Sequence, residues 1–188
     1  MLLQSGCLWT ATMKIRFGRF NIYLLTGGLL AGCASTKSDP EKAGVNEMAS
    51  LRLHMEVNSD GSDKNSPVLI GRSIPFLVNV EKQPFLTEYK IVNASLVEEL
   101  GAFMISVEFD KEGTWLLEHY TTSYRGKRIG VAAIFGESQS ARWLGAPRIT
   151  ETITNGVFIF TPDASRKEAD RIVAGLNNFA LKEKEGKR

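Results

Sequence analysis

From Phe103 to Phe109 the chain alternates: Phe103, Ile105, Val107 and Phe109 take one set of positions, and Met104, Ser106 and Glu108 the other. Successive side chains of an extended strand point to opposite faces, so such a segment buries one side and requires a core there. The period recurs from Leu51 to Val57, where Leu51, Leu53, Met55 and Val57 alternate with Arg52, His54 and Glu56. His54 falls on the polar face and is read as a solvated strand residue. Ile74 to Val80 alternates again, with Phe76, Val78 and Val80 together, and Ala94 to Val97 makes a short strand before Gly101. Ile129 to Phe135 is apolar on both faces, the pattern of a central strand. Arg148–Ile153 and Val157–Phe160 flank Asn155-Gly156. That dipeptide between such runs predicts a hairpin joining two antiparallel strands.

Helical spacing is confined to two places. Asp110 can cap a helix over about 111–123, whose Gly113, Leu117, Tyr120 and Thr121 share one flank. Gly113 lets its first turn approach a sheet, and Gly126 ends the helix region. Ser165 and Glu168 form a capping box for a last helix, with Ala169, Ile172, Val173, Leu176 and Ala180 at helical spacing. Thr87 to Asn93 reads as a short helical turn. Strands outnumber helices and most joins are short. The expected class is α+β, an antiparallel or mixed sheet with two helices packed on one face.

The first 33 residues differ from the rest. Lys14, Arg16 and Arg19 precede an apolar run from Ile22 to Ala31, and no acid appears before Asp39. This is the layout of a secretory signal, and its apolar core is shorter than the roughly 20 residues of a bilayer span. Met13 stands just before the basic stretch, so residues 1–12 are a candidate annotation extension. Leu30-Ala31-Gly32-Cys33 resembles the bacterial lipobox. That resemblance implies acyl transfer to the Cys33 thiol, cleavage after Gly32, and a bacterial cell-envelope protein held by lipid, facing the periplasm from the outer membrane. Cys7 and Cys33 are the two cysteines. Once Cys33 is lipidated, no intramolecular disulfide remains and the exported domain must be held by its core. Three of the 23 basic residues and none of the 21 acidic ones precede Cys33. The formal charge of +2 thus becomes −1 in the processed chain, which argues against a nucleic-acid partner. Residues 34–48 are expected to form a tether, 49–181 a single domain, and 182–188 a charged tail. The stretch from Asn58 to Pro67 is expected to be a surface loop.

The stretch from about 86 to 177 resembles the head subdomain of the first periplasmic domain of SecD, a protein-export membrane protein. The matching features run in order. Phe85-Leu86-Thr87 precedes a turn and Ala94; Val107-Glu108-Phe109 leads to Glu112-Gly113 and a helix ending in Tyr120-Thr121; Gly126-Lys127-Arg128 opens a strand. Ala146-Pro147-Arg148-Ile149 then leads through Ile153 to Asn155-Gly156, and Glu168-Ala169 begins a helix finishing at Leu176. Two features depart from the pattern. A glycine-rich step is reduced to Asn155-Gly156, and Asp163-Ala164-Ser165 lengthens the approach to the last helix. The resemblance implies a fold and a habit of contacting polypeptide. It transfers neither catalytic residues nor proton-driven export, because no apolar stretch after Cys33 is long enough for a membrane helix.

The residues themselves show little chemistry. A Ser–His–acid site needs a base beside a hydroxyl. His54 and His119 are the only histidines, and His119 is placed on the first helix after Glu118, off the flank expected to be buried. Gly136-Glu137-Ser138-Gln139-Ser140 lacks the final glycine of a nucleophile elbow. No metal-ligand spacing, phosphate loop or dinucleotide fingerprint occurs. No cofactor is expected, and the chain is not read as an enzyme. Trp115 and Leu116, beside the buried flank of the first helix, and Trp143, in the loop region before Pro147, are read either as core or rim packing or as a candidate contact patch, since protein interfaces favour such residues. An exposed sheet edge could serve the same end. The reading is a lipid-anchored, non-catalytic envelope protein binding protein or peptide. The alternatives are a structural envelope lipoprotein in a larger assembly, or a hydrolase.

Overall fold

The computed structural model describes residues 47–99, 101–136 and 140–186. The signal, Cys33, the Glu137–Gln139 part of the loop and most of the expected tether lie outside them. The elements run β1 (Ser50–Met55), β2 (Asn65–Ile70), β3 (Phe76–Glu81), β4 (Leu86–Thr87), a 3-10 turn (Glu88–Lys90), β5 (Ile91–Glu99), β6 (Ala102–Phe109), α1 (Lys111–Ser123), β7 (Ile129–Ile134), β8 (Arg142–Gly145), β9 (Val157–Phe160) and α2 (Arg166–Gly186). The strands form three antiparallel sheets, in the orders β4-β1-β7-β8, β2-β3 and β5-β6-β9. The class is α+β.

The alternation of β6 does what its period demands. Ile105, Val107 and Phe109 are buried, whereas Glu108 is exposed. They share one core with Leu51, Leu53 and Met55 of β1, Ile129 and Val131 of β7, and both helices. Leu117 of α1 and Ile172 and Leu176 of α2 enter it nearly solvent-free. Burying each such side chain is worth about 1.5–3 kcal/mol. Ser95, Glu108 and Ile159, on the outward face of β5-β6-β9, are exposed, so both helices pack on the same side of that sheet.

Local chemistry sets the helix ends. The Asp110 carboxylate accepts from Gly113 N–H at 2.7 Å and caps α1. A Cβ on Gly113 would lie 2.8 Å from the Phe109 Cβ, so glycine is what lets this turn seat against β6. Ser165 and Glu168 close a reciprocal capping box: Ser165 N–H donates to Glu168 Oε2 (2.7 Å), and Glu168 N–H to Ser165 Oγ (3.3 Å). α2 continues to Gly186, so Lys182–Gly186 of the expected charged tail is helical. Its Lys and Glu residues are good helix formers and need no burial. The tether ends sooner than expected, because Arg171 holds the Glu47 carboxylate at 3.0–3.2 Å and Asn178 Nδ2 donates to Glu47 O.

A second, smaller cluster lies on the other face of the four-stranded sheet. Ile70, Val78, Val80 and Ala146 are buried there, with Val68 and Trp143 packed against them. The β2-β3 hairpin covers this face. It begins at Asn65, inside the stretch expected to be loop. Pro67 is compatible with a strand here because β2 has one neighbour and needs no ladder donor on its free side.

Three further sequence expectations are corrected. His54 is 8% exposed rather than solvated, because the hairpin lies over the face to which it points. Its Nδ1 donates to Glu81 O at 2.8 Å, so Nδ1 carries the hydrogen, and burial lowers its pKa below 6.5. Trp143 lies on β8 and not in a loop. Asn155-Gly156 joins no paired strands: β9 pairs with β6, and the arm before the turn is tied elsewhere. Ile149 N–H donates to Lys127 O, and Ile153 N–H to Thr121 Oγ1. Gly156 keeps the turn's backbone, with φ 70°.

Candidate polypeptide-contact surface

Helical spacing places residues four apart on one face, and α1 uses this to build an aromatic strip. Trp115 is 61% exposed and stacks on His119, with ring centroids 5.6 Å apart and planes 8° apart. His119 meets Tyr120 edge-on at 5.7 Å. Tyr120 stacks on Tyr124 at 5.8 Å and on Phe85, just before β4, at 4.4 Å. The strip is polar at its tips and apolar in its body, which suits protein contact. Beside Trp115 and His119 lies a shallow hollow of about 270 Å³, completed by Glu118, Thr122 and Ser123.

The structure does not bring the three sequence-predicted patch residues together. Trp115 is on the exposed strip. Leu116 turns partly inward and packs against the main core. Trp143 packs edge-on against His54 at 5.1 Å on the outer face of the four-stranded sheet. A Cβ on Gly130 would be 3.0 Å from the Trp143 ring, so the missing side chain leaves room for the indole. Sequence reasoning missed Phe85, Tyr120 and Tyr124 as partners of Trp115. The signal was present in the i, i+4 pairs Trp115/His119 and Tyr120/Tyr124.

His119, Glu118 and Ser123 border one hollow, the residue types of a hydrolytic site. Among the described residues no side-chain hydrogen bond links them, and the His119 ring is committed to its stack on Trp115. A general base must be oriented on its nucleophile, and this arrangement does not do so. Among the described residues no group of three or more His, Cys, Asp or Glu side chains could hold a metal ion, and no helix is long and apolar enough to cross a membrane.

A charged knot fixes the far end of the β2-β3 hairpin to the start of α2. Arg72 N–H donates to Asp163 Oδ2 at 2.7 Å, and its guanidinium reaches Glu168 at 3.2 Å. Arg142 Nη1 donates to Glu168 Oε1 at 2.6 Å, and Nη2 to Asp163 O at 2.9 Å. The Arg142 bond, aided by Ser165, holds the Glu168 pKa down to about 2. This knot positions elements and offers no free reactive group.

Comparison with known proteins agrees with the architecture. The family model described as SecDF, P1 head subdomain, matches residues 60–182. No curated protein matches the chain. Among solved structures, one titled as a membrane component SecDF that enhances protein export shares 20% identity, with TM-score 0.50, over 71% of this chain and 64% of that one. A SecDF in a super-membrane-facing form shares 21% identity, with TM-score 0.49, over 71% of this chain and 19% of that one. A translocon-associated SecDF from Thermus thermophilus shares 15% identity, with TM-score 0.40, over 72% and 30% of the two chains. This chain thus spans less than two thirds of the first of these and about a fifth of the second. With the family model covering most of its length, the chain belongs to the SecDF P1 head subdomain family.

Proposed function

We propose that this protein is a cell-envelope lipoprotein, anchored through Cys33, whose head domain binds polypeptide without catalysing a reaction. The observation that carries the reading is the Trp115–His119–Tyr120–Tyr124 strip, exposed at Trp115, His119 and Tyr124 and half-buried at Tyr120, on a domain of an export family. Stacked rings held by a helix present apolar area at little entropic cost on binding, because their rotamers are already restricted. Protein export supplies the partner class: unfolded or partly folded chains, or the machinery that handles them. The processed chain's near-neutral charge suits a membrane-tethered polypeptide binder better than a nucleic-acid protein. From Cys33 to Glu47 the chain reaches at most about 50 Å when extended, so a lipid on Cys33 would keep the head close to its membrane, assigned here to the periplasmic side of the outer membrane.

Two measurements test this. Metabolic labelling with a palmitate analogue is expected to mark the wild type and not Cys33→Ser, which should also leave the membrane fraction. Binding of reduced, carboxymethylated α-lactalbumin, a permanently unfolded chain, is expected to be saturable and to weaken about 30-fold in Trp115→Ala, a hot-spot loss of about 2 kcal/mol. His119→Phe keeps the stack and removes the base, so it is expected to bind as the wild type does. Full membrane retention of Cys33→Ser would contradict the anchor, and absence of binding would contradict the partner class.

A further inference from the structure

The two arms of the Asn155-Gly156 turn do not pair, and the space between them is a trough of about 470 Å³. Arg148, Ile149, Glu151 and Ile153 line one wall, and Phe158 and Ile159 of β9 the other. The wall formed by the 148–153 arm is held from behind. Arg148 Nη1 donates to Gly126 O, Arg125 Nη2 to Thr150 O, and Thr152 Oγ1 meets Thr122 Oγ1 of α1 at 3.3 Å.

The β9 wall is an open sheet edge. Phe109 N–H donates to Gly156 O at 3.0 Å, and the register continues as Val107↔Phe158 and Ile105↔Phe160. Antiparallel ladders alternate, so the main-chain groups of 158 and 160 turn toward β6, and those of Val157 and Ile159 turn away from it. Asn155 Oδ1 accepts from Val157 N–H at 3.1 Å. The Val157 carbonyl and both main-chain groups of Ile159 have no partner among the described residues, and they face the trough.

We propose that an extended polypeptide segment of about four residues docks in this trough by adding a strand to the open edge of β9. This rests on the reading that the domain binds polypeptide, and it assigns the main-chain site. Unpaired N–H and C=O groups in a row select an extended backbone. The trough matches β9, which has four residues at roughly 3.3 Å each. Buried Phe158 and Ile149 set an apolar preference for the side chains that point inward. The surface is also continuous with the aromatic strip: Thr122 borders the hollow beside Trp115 and touches Thr152 of the arm. A chain lying along α1 can pass over this contact into the trough.

The test uses the full chain with a photo-crosslinking residue in place of Ile159, or in place of Ser95 on the outward face of β5, and carboxymethylated α-lactalbumin as the probe. Capture is expected from position 159 and at least 10-fold less from 95. The peptide Glu-Val-Ser-Val-Glu-Val-Ser is expected to compete, and the same peptide with its four central amides N-methylated is not. Ile159→Pro removes the edge donor without touching a ladder bond and is expected to weaken binding about 10-fold. Should that variant fail to fold, the methylation comparison decides alone. Binding with equal competition by both peptides, or capture from position 159 of a second copy of this protein in place of the probe, would overturn the strand-addition site and leave polypeptide binding by the strip standing. Absence of any probe binding would overturn both.

Discussion

The two faces of the four-stranded sheet are covered by different means. One face meets the main core, where two capped helices and a three-stranded sheet contribute Leu117, Ile172, Leu176, Ile105 and Val107. The other meets a cluster of four buried residues under a two-stranded hairpin, with Trp143 and His54 at its margin. The first is built from elements that each carry their own periodicity and end signals. The second depends on one ribbon, held by the β2-β3 ladder, an isolated bridge between Glu56 and Val80, and the Arg72–Asp163–Glu168–Arg142 knot. Regions with fewer buried contacts open at lower free energy than the whole domain. The hairpin is therefore expected to loosen before the helix-backed core does.

The largest effect is expected in the main core. Leu117→Ala removes a fully buried side chain and should lower unfolding free energy by about 3–4 kcal/mol, read as a shift of the urea midpoint at constant slope. A loss below about 1 kcal/mol would mean that α1 is not packed as described. Next comes Trp143→Ala, with an expected loss of about 2–3 kcal/mol because the ring fills the space over Gly130 against His54. An unchanged midpoint with weakened polypeptide binding would return Trp143 to the contact surface.

The knot and His54 sharpen the comparison through pH. The Glu168 carboxyl is held at about 2 by Arg142, below its ordinary 4.5. Its stabilisation is present above about 4.5 and lost as pH falls toward 2. Glu168→Gln should cost about 2 kcal/mol at pH 7 and almost nothing at pH 2. His54 is kept neutral by burial. Its contribution is present above 6.5 and declines as pH falls from there through its lowered folded value. A melting-temperature profile of His54→Gln should be flatter than wild type below pH 6.5. Smallest of all, Trp115→Ala should change stability by less than about 0.5 kcal/mol, since its ring is mostly exposed.

The same contrast explains what the sequence disclosed. The bounds of α1 were legible because Asp110, the Gly113/Leu117/Thr121 flank and Gly126 each act within a few residues. β6, β7 and the capping box of α2 were legible for the same reason. β2 was not, because Ser66 and Pro67 break the alternation and only pairing with Asn79 and Val80 makes the segment a strand. β8 is four residues long, so its pairing with β7 is its only mark. The Asn155-Gly156 signal was overridden by long-range bonds that draw the 148–153 arm to Lys127 and Thr121. His54 misled because the ribbon that buries it begins eleven residues later. On the candidate contact surface, Trp115 stood out in the sequence by residue type. Its partners Tyr120 and Tyr124 were legible only once the helix register was fixed.

The central claim is that this head domain binds unfolded polypeptide through a surface separate from what holds it together. Titrating labelled carboxymethylated α-lactalbumin into the full chain, beside Trp115→Ala and Trp143→Ala at a temperature where all three are folded, tests it most directly. Saturable binding that Trp115→Ala weakens about 30-fold and Trp143→Ala leaves within twofold is the expected result. Equal loss in both variants, or no saturable binding by the wild type, would contradict the account.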